Sequence, residues 1–328
     1  MAYEPSFQET YKTILHDSFD ESNDKSFLIV EECELPLINL GRLNLEQLER
    51  DKCINEIAQA AREWGFFQIV NHGIPQEILS NLRSEQVKVF HMPFEKKVED
   101  KFLNLSASCY SWGNPEATSI KQVIWSESLH VSLADIPRMD NSLSSAIDAF
   151  GTTAASLAQN LAEILAKSLG IESNFFRENC PPDASYLRMN RYPPCPLASK
   201  VFGLVPHTDS DFLTILFQDQ VGGLQLLKDG KWIKVKPNPQ ALIINIGDLF
   251  QALSNDVFKS IKHRVVSPQE VERVSAAYFY YPSSDAVIQS CTTKPALYRP
   301  FTLSEYRQQI RKDVQDTGDK IGLSRFLL

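Results

Sequence analysis

The chain has 328 residues, a formal net charge of −8 and 23% charged residues, values that are ordinary for a soluble globular protein. The acidic balance and the lack of any cluster of five or more Lys and Arg argue against a nucleic-acid partner. No apolar run approaches the roughly 18 to 20 residues that cross a bilayer, and the N-terminus does not resemble a signal peptide. Six scattered cysteines indicate free thiols in a reducing compartment. We therefore expect a cytoplasmic protein, with the nucleus as a further location, no membrane contact and an oligomeric state left open.

The N-terminal part of the chain is predicted to be mainly helical. Residues 1–33 are polar and weakly patterned, and we expect a mobile or loosely docked arm. A strand follows in LPLINL, then a helix over 45–64, a strand in GFFQIVNHGI and a helix over 75–90. A long helix is predicted over 142–169, and Gly170 follows it as a C-terminal cap.

From Ala184 onward the chain consists of short β-rich runs broken by Pro, Gly, Asn and Asp. The runs are SYLRMNRY, FLTILFQ, GLQLLK, KWIKVK, ALIINIG, SIKHRVV and RVSAAYFYY. So many short strands in one stretch predict a β-sandwich or jelly roll, and a helix from about Leu303 to Val314 closes the chain. The expected fold is mixed α and β, a jelly-roll core with a largely helical N-terminal half around it and a C-terminal helix. The predicted regions are the arm (1–33), an N-terminal region (34–150), a long helix and connector (151–180), the core (181–284) and a C-terminal helical segment (285–328).

Two histidines and one aspartate stand on predicted inward faces of the core. His207 and Asp209 lie two residues apart and, on one strand, would project to the same side. His263, in SIKHRVV, shares its face with Val265. A single histidine on an apolar face is more often a core residue than a ligand. Two imidazoles and one carboxylate together form the facial triad of non-haem Fe(II), which leaves coordination positions open for oxygen and a co-substrate.

Zinc hydrolases also use two histidines and a carboxylate. Their usual H-E-x-x-H helix is absent from this sequence, but the spacing of the three residues does not by itself exclude zinc. A zinc hydrolase would leave the next feature without an explanation.

An arginine occupies a predicted inward position without an acidic partner on its own strand face. In RVSAAYFYY, Arg273 and Ser275 share one face with Ala277 and Phe279. A buried Arg is costly unless an anion pairs with it, and Arg binds carboxylates bidentately. An internal ion pair or a solvent-facing Arg is the alternative. Beside a metal site, we expect a co-substrate that carries a carboxylate.

The segment YLRMNRYPPCP supplies further polar groups to one face. Arg188, Asn190 and Tyr192 alternate onto that face before two prolines end the strand. Tyr192 could donate its phenol proton to the same carboxylate or simply pack in the core. Arg188 would offer a second positive charge for a second acid.

These motifs together resemble the plant 2-oxoglutarate and Fe(II)-dependent dioxygenases. The resemblance rests on H-x-D at 207/209, the histidine at 263, R-x-S at 273/275 and N-x-Y at 190/192. REWGFFQIVNHGI and VFHMPFEKK resemble the N-terminal segments of the same family, so the resemblance covers about residues 34–328. It implies a double-stranded β-helix core formed by residues 181–284.

The resemblance also implies the roles of the motif residues. Fe(II) would be held by His207, Asp209 and His263. The co-substrate 2-oxoglutarate would be bound by Arg273, Ser275, Tyr192 and Asn190. The reaction would consume O2 and 2-oxoglutarate, yield succinate and CO2, and hydroxylate a small molecule, with ascorbate as a reductant.

Within this family the chain is most similar to the gibberellin 2-oxidases, and in particular to the branch that acts on 20-carbon gibberellins. The segment YSWGNPEATSIKQVIWSESLHV carries this resemblance outside the metal core. It implies hydroxylation at carbon 2, which inactivates the hormone. For a rigid, mostly apolar substrate with carboxylates, we predict Arg188 as the anchor and His72 and His130 as structural residues. The predicted walls of the substrate pocket are Phe279, Tyr281, Tyr110, Trp112 and Trp125.

Two alternatives to this function remain at the level of sequence. The same metal core could act on a flavonoid or another plant hormone. The fold could also serve as a small-molecule receptor without turnover, although a receptor has no need of an open iron site.

Overall fold

The structure of the protein, a computed structural model, describes residues 3–17, 31–139, 141–170, 174–198, 200–292 and 295–328. Two β-sheets dominate it. The larger sheet has the strand order β2-β3-β11-β8-β13-β6-β5-β4, and the smaller has the order β1-β10-β9-β12-β7. The strands are β1 Glu32–Cys33, β2 Leu37–Asn39, β3 Phe66–Val70, β4 Tyr110–Trp112, β5 Glu127–Ser132, β6 Tyr186–Tyr192, β7 Phe202–His207, β8 Leu213–Gln218, β9 Leu224–Lys228, β10 Lys231–Val235, β11 Leu242–Ile246, β12 His263–Val266, β13 Arg273–Tyr280, β14 Val287–Ile288 and β15 Phe301–Thr302.

Nine α-helices lie in the described residues, and the longest of them packs on the outer face of the larger sheet. They are α1 Phe7–Thr10, α2 Lys12–Asp17, α3 Gln47–Glu63, α4 Gln76–Phe90, α5 Phe94–Lys97, α6 Ser142–Ser168, α7 Phe175–Asn179, α8 Asp248–Leu253 and α9 Leu303–Thr317. In α6 the buried residues Leu157, Leu161 and Leu165 recur at helical spacing and face this sheet. Gly170 follows α6 with a φ of 79°, a left-handed conformation that glycine adopts without strain, so the predicted cap is confirmed.

The two sheets face each other across a small apolar core. Leu216, Ile243 and Ala277 of the larger sheet pack against Leu224 and Leu226 of the smaller one. Next to this core the same two faces enclose a cavity that holds the predicted metal residues. The predicted jelly-roll core with a helical N-terminal half is therefore confirmed.

The predicted helices and strands recur in the structure, with small shifts at their ends. Strand β7 was not predicted as a separate element, and β2 to β5 of the N-terminal region extend the larger sheet of the core. The boundary placed at residue 150 falls inside α6, because the apolar stripe that holds this helix on the sheet begins at Leu143.

The N-terminal arm is docked over residues 3–17, in contrast to the loose association expected from its polar composition. Phe7 and Tyr11 are buried, and the Phe7 ring stacks on Trp125 with a centroid distance of 4.8 Å. Glu4 forms an ion pair with the buried Arg191 at 2.6 Å. Two aromatic residues and one acidic residue of a mostly polar segment therefore provide the contact. Residues 18–30 of the arm lie outside the described residues.

Among the helices in the described ranges, none combines the length and the apolar character needed to span a membrane.

Candidate active site

The two predicted histidines lie opposite each other on neighbouring strands. His207 ends β7, and His263, the first residue of β12, is its cross-strand partner. Asp209 follows two residues after the end of β7. Its Oδ1 lies 3.7 Å from His207 Nε2 and 3.6 Å from His263 Nε2. The three ligand atoms lie within 4.8 Å of one another, so the predicted triad is brought together in one place.

The position of Asp209 differs from the prediction that it shares a strand with His207. The strand ends at His207 because the following backbone pairs with the start of α8 and not with a neighbouring strand. Asp248 N donates to Asp209 O at 2.9 Å, and Leu249 N donates to Asp211 O at 3.0 Å. A loop, and not strand alternation, therefore directs Asp209 toward the histidines.

Backbone carbonyls fix the orientation of both imidazole rings. His207 Nδ1 lies 2.8 Å from Val205 O, and His263 Nδ1 lies 3.1 Å from Ile261 O. A proton on each Nδ1 satisfies these contacts and leaves the Nε2 lone pair free toward Asp209. This is the arrangement in which a hydrogen bond on one ring nitrogen orients the other nitrogen toward a metal.

Two side chains of the larger sheet hold the carboxylate of Asp209. Thr214 Oγ1 lies 2.7 Å from Asp209 Oδ2, and Asn245 Nδ2 donates to the same oxygen at 3.0 Å. Oδ2 is thus occupied by protein donors, whereas Oδ1 faces the two Nε2 atoms. The carboxylate is oriented to offer one oxygen.

The protonation states suit a metal site. Burial, followed by the neighbouring His263, lowers the pKa of His207 to about 3. Burial opposes ionisation of Asp209, but His263, His207 and the hydrogen bonds from Asn245 and Thr214 outweigh it and lower the pKa of this carboxyl. At neutral pH a neutral His207 imidazole and an ionised Asp209 are the forms that bind metals. Two nitrogens and one oxygen on one side of a cavity fit Fe(II) and leave positions open.

A second cluster of cavity residues surrounds Arg273. Its guanidinium lies 4.6 Å over the Tyr192 ring, and its Nη2 donates to Gln218 Oε1 at 2.9 Å. Its Nη1 lies 3.4 Å from Ser275 Oγ, and its buried Nε has no hydrogen-bond partner among the described residues. A buried guanidinium with only neutral partners is costly unless a ligand supplies the negative charge. The cluster fits a carboxylate of a small co-substrate.

The backbone approaches this cluster closely at one glycine. A Cβ atom on Gly203 of β7 would lie 2.5 Å from Cδ1 of the Tyr192 ring. Only glycine therefore lets the smaller sheet pack against Tyr192, which in turn supports the face of Arg273.

The rest of the cavity combines an apolar wall with a second arginine. Leu204, Leu216, Leu224, Val265, Ala277 and Phe279 line it together with the polar residues described above. Arg188 Nε donates to Asn190 Oδ1 at 2.9 Å. Arg188 forms no ion pair with any residue that the structure describes. The cavity therefore has two arginines, Arg273 and Arg188, without acidic partners.

Comparison with known proteins places this geometry in a family. Residues 184–282 match the model of the 2OG-Fe(II) oxygenase superfamily, and residues 35–145 match that of the non-haem dioxygenase in morphine synthesis N-terminal region. The chain is 52% identical to Gibberellin 2-beta-dioxygenase 8 of Arabidopsis thaliana, with 99% of this chain and 98% of that protein covered. It is 44% identical to Gibberellin 2-beta-dioxygenase 7 of the same plant, with both chains covered completely.

The chain belongs to the 2OG-Fe(II) oxygenase superfamily. It is accordingly a dioxygenase that uses Fe(II) and 2-oxoglutarate. Solved structures agree: JOX2 in complex with 2OG, Fe and JA is similar with a TM-score of 0.74 and 33% identity, covering 94% of each chain. The rice dioxygenase for auxin oxidation is similar with a TM-score of 0.73 and 27% identity, covering 90% of this chain and all of that one.

Four of the predicted pocket walls do not line the cavity of this oxygenase. Tyr110 and Trp112 of β4 pair with Leu129 and Glu127 of β5. Cross-strand partners project to the same side, so Tyr110 and Trp112 point to the helix-covered face of the sheet and away from the cavity. Trp125 packs against Phe7 of the arm. Sequence alternation within β4 could not show which face looks toward the cavity.

Tyr281, the fourth of these residues, lies behind the cavity wall. Its ring stacks on Tyr186 at 5.2 Å, and the Tyr186 ring stacks on Phe279 at 5.0 Å. Phe279 is the one predicted wall residue that lines the cavity.

Three polar residues that contact the predicted site residues were not singled out from the sequence. Thr214 and Asn245 orient Asp209, and Gln218 accepts a hydrogen bond from Arg273. The available signal was a polar residue at alternate positions of otherwise apolar strands, as in FLTILFQ and ALIINIG.

Proposed function

We propose that the protein is a gibberellin 2-oxidase, which inactivates gibberellins by hydroxylation at carbon 2. The observation that carries this proposal is the 52% identity to Gibberellin 2-beta-dioxygenase 8, which extends over 99% of this chain. The identity is therefore not confined to the metal-binding core that many oxygenases share.

The triad of His207, Asp209 and His263 is the proposed ligand set for Fe(II). When bound, Fe(II) together with 2-oxoglutarate and O2 supplies the oxidising power that inserts one oxygen atom into a C–H bond. The chain contributes the facial arrangement of its ligands, in which Thr214 and Asn245 orient Asp209 and backbone carbonyls orient the two histidines, and leaves room for the co-substrates. Ascorbate as a reductant stays a prediction from the family resemblance.

The cluster around Arg273 is the proposed site for the distal carboxylate of 2-oxoglutarate. The unpaired Nε of Arg273 and the nearby Ser275 hydroxyl offer hydrogen bonds to it, and Tyr192 lies against the guanidinium. Asn190, two residues after Arg188 on the same face of β6, accepts a hydrogen bond from Arg188 and borders the same site. Binding here fixes the co-substrate relative to the metal ligands and limits its orientations.

The substrate is proposed to lie between the apolar wall and Arg188. Phe279, Ala277 and Leu216 offer apolar surface to the hydrocarbon skeleton, and the Arg188 guanidinium attracts a carboxylate. Burial lowers the pKa of Arg188, which makes pairing with an anion more valuable to the folded protein. We propose the 20-carbon gibberellins as the preferred class, on the resemblance of the segment over residues 110–131.

The test is turnover with a panel of 19- and 20-carbon gibberellins. The enzyme is loaded anaerobically with Fe(II) and 2-oxoglutarate and then exposed to O2, and the products are identified by mass against 2-hydroxylated standards. We expect one added oxygen atom per succinate formed, with faster turnover of the 20-carbon substrates. His207→Ala should abolish both products.

Two outcomes would contradict parts of the proposal. Succinate formation without any hydroxylated gibberellin would agree with a 2-oxoglutarate-dependent dioxygenase but would contradict gibberellin as its substrate. Preference for the 19-carbon substrates would overturn the proposed class alone. As a control for loss of fold, His91→Ala changes a histidine whose side chain is 41% exposed and should retain full activity.

A further inference from the structure

We infer that His130 is a specificity-determining residue whose neutral imidazole binds the same substrate carboxylate that Arg188 attracts. The inference rests on the proposed function, because it assigns a contact within the proposed substrate site. It differs from the expectation that His130 is a structural residue.

Strand register places His130 on the inner face of the larger sheet. His130 of β5 is the direct cross-strand partner of Arg188 of β6, and Ser128 is the partner of Asn190. Direct partners in an antiparallel pair project to the same side, with Cβ atoms about 5 Å apart. Arg188 and Asn190 line the cavity, so His130 projects toward the same side.

The neighbours of His130 on β5 confirm this orientation. Leu129 and Val131 have no exposed surface and belong to the core under the helices, whereas His130 is partly exposed. Alternation along the strand therefore separates a buried outer face from an inner face that a ligand can reach.

The imidazole of His130 lacks a hydrogen-bond partner among the described residues. Its ring lies beside the Tyr186 ring, at a centroid distance of 6.0 Å. A neutral imidazole has one donor and one acceptor nitrogen, so both ring nitrogens are available to a ligand. Burial, followed by the Arg188 charge, lowers the pKa of His130 to about 3, so the ring is neutral at physiological pH. It can donate a hydrogen bond without adding a second positive charge.

Arg188 by itself offers an incomplete carboxylate site. Its Nε is occupied by Asn190 Oδ1, which leaves the two terminal nitrogens for a ligand. The next residue across the sheet is Ala277, followed by Leu216, so no acid stands beside Arg188 in this row. On the opposite side of Arg188, the next residue across the sheet is His130. Among these cross-strand neighbours, His130 is therefore the nearest polar side chain to a carboxylate bound at Arg188.

This pair is separate from the Arg273 site. Arg188 is the partner of Ala277, which lies four residues along β13 from Arg273, a distance of about 13 Å along the strand. Thr214, which contacts Asp209, lies on β8. In the sheet, β6 with Arg188 is the second strand from β8 and β5 with His130 is the third. At the usual spacing between strands, β6 and β5 lie about 10 and 14 Å from β8. A rigid polycyclic acid can therefore be anchored at one end and present a C–H bond near the metal ligands.

The experiment compares a gibberellin with its methyl ester as substrates of the wild type, His130→Phe and His130→Gln. We expect His130→Phe to raise KM for the acid about tenfold, which is the loss of one hydrogen bond of roughly 1.4 kcal/mol. KM for the ester and for 2-oxoglutarate should stay unchanged. His130→Gln keeps a donor and an acceptor and should restore most of the affinity for the acid.

Controls separate this contact from folding and from the proposed function. His91→Phe introduces the same change at an exposed position and should leave both KM values unchanged. An equal rise in KM for acid and ester, or no rise with either, would overturn the role of His130 while wild-type turnover upholds the gibberellin oxidase. If the wild type hydroxylates no gibberellin, the proposed function is wrong and the contact is overturned with it.

Discussion

Lys320 Nζ forms an ion pair with Asp248 Oδ2 at 2.6 Å and donates a hydrogen bond to Thr208 O at 2.8 Å. It also donates to Ser210 Oγ at 2.7 Å, so it contacts the residues on both sides of Asp209. The C-terminal segment thereby braces the loop that carries the carboxylate ligand. Tyr306 of α9 completes the brace by donating to Asp248 Oδ2 at 2.5 Å.

We expect Lys320→Met to weaken both folding and metal retention. The change leaves the buried Asp248 carboxylate without its cation, and the free energy of unfolding should fall by about 3 kcal/mol. Because the loop loses its brace, Fe(II) affinity should fall about tenfold. Urea unfolding and anaerobic Fe(II) titration measure the two effects. Lys312→Met, at an exposed position of α9, is the matched control. Unchanged Fe(II) affinity would limit Lys320 to a role in stability.

The residues that orient Asp209 should control metal affinity without contacting the metal. Asn245→Leu and Thr214→Val each remove one donor to Asp209 Oδ2, and each should lower Fe(II) affinity between about 10- and 100-fold. Titration with Fe(II) under anaerobic conditions gives the affinity directly, without turnover. Thr152→Val, on the exposed side of α6, should have no effect. Wild-type affinity in both variants would show that the loop alone orients the carboxylate.

The protonation of His130 should make stability depend on pH. Its pKa is about 3 in the folded protein, against about 6.5 in an unfolded chain. Between these values the unfolded chain binds more protons, so stability falls as the pH falls below about 6.5. From pH 7 to pH 5 the wild type should lose about 2 kcal/mol more than His130→Phe. Urea unfolding of the metal-free proteins at both pH values tests this, and equal losses would contradict it.

The docked arm should contribute to global stability. Phe7 is 3% exposed and packs between Trp125 and Trp112, with centroid distances of 4.8 and 5.6 Å. Phe7→Ala should lower the free energy of unfolding by about 3 kcal/mol, as for other buried aromatics. Leu48→Ala, at a position that is 67% exposed, should change it little. A small loss in both variants would indicate an arm that detaches without consequence.

Strand alternation predicted the inner faces of two strands from the sequence. Arg188, Asn190 and Tyr192 project to one side of β6, and Arg273 and Ser275 to the same side of β13, as their spacing required. These predictions needed only local geometry, because side chains on a strand alternate whatever the strand pairs with.

The remaining features depend on contacts between distant segments, which periodicity does not encode. Asp209 reaches the histidines through a loop that pairs with α8, and Thr214 meets it from another strand. Tyr110 faces the helices because of the register between β4 and β5. Residues 3–17 dock through two aromatic side chains and the Glu4 carboxylate, although their overall composition is that of a solvated tail.

The brace at Lys320 has a consequence for the interpretation of genetic variants. Lys320 follows Thr208 by 112 residues, and it lies beyond all three triad residues and beyond Arg273 and Ser275. A premature stop codon just before Lys320 would leave β13, α9 and every recognised motif in the gene product. We expect such an allele to encode a chain that retains its ligand set and holds iron poorly. Counting motif residues would classify it as functional, whereas its product would lack the iron that activity requires.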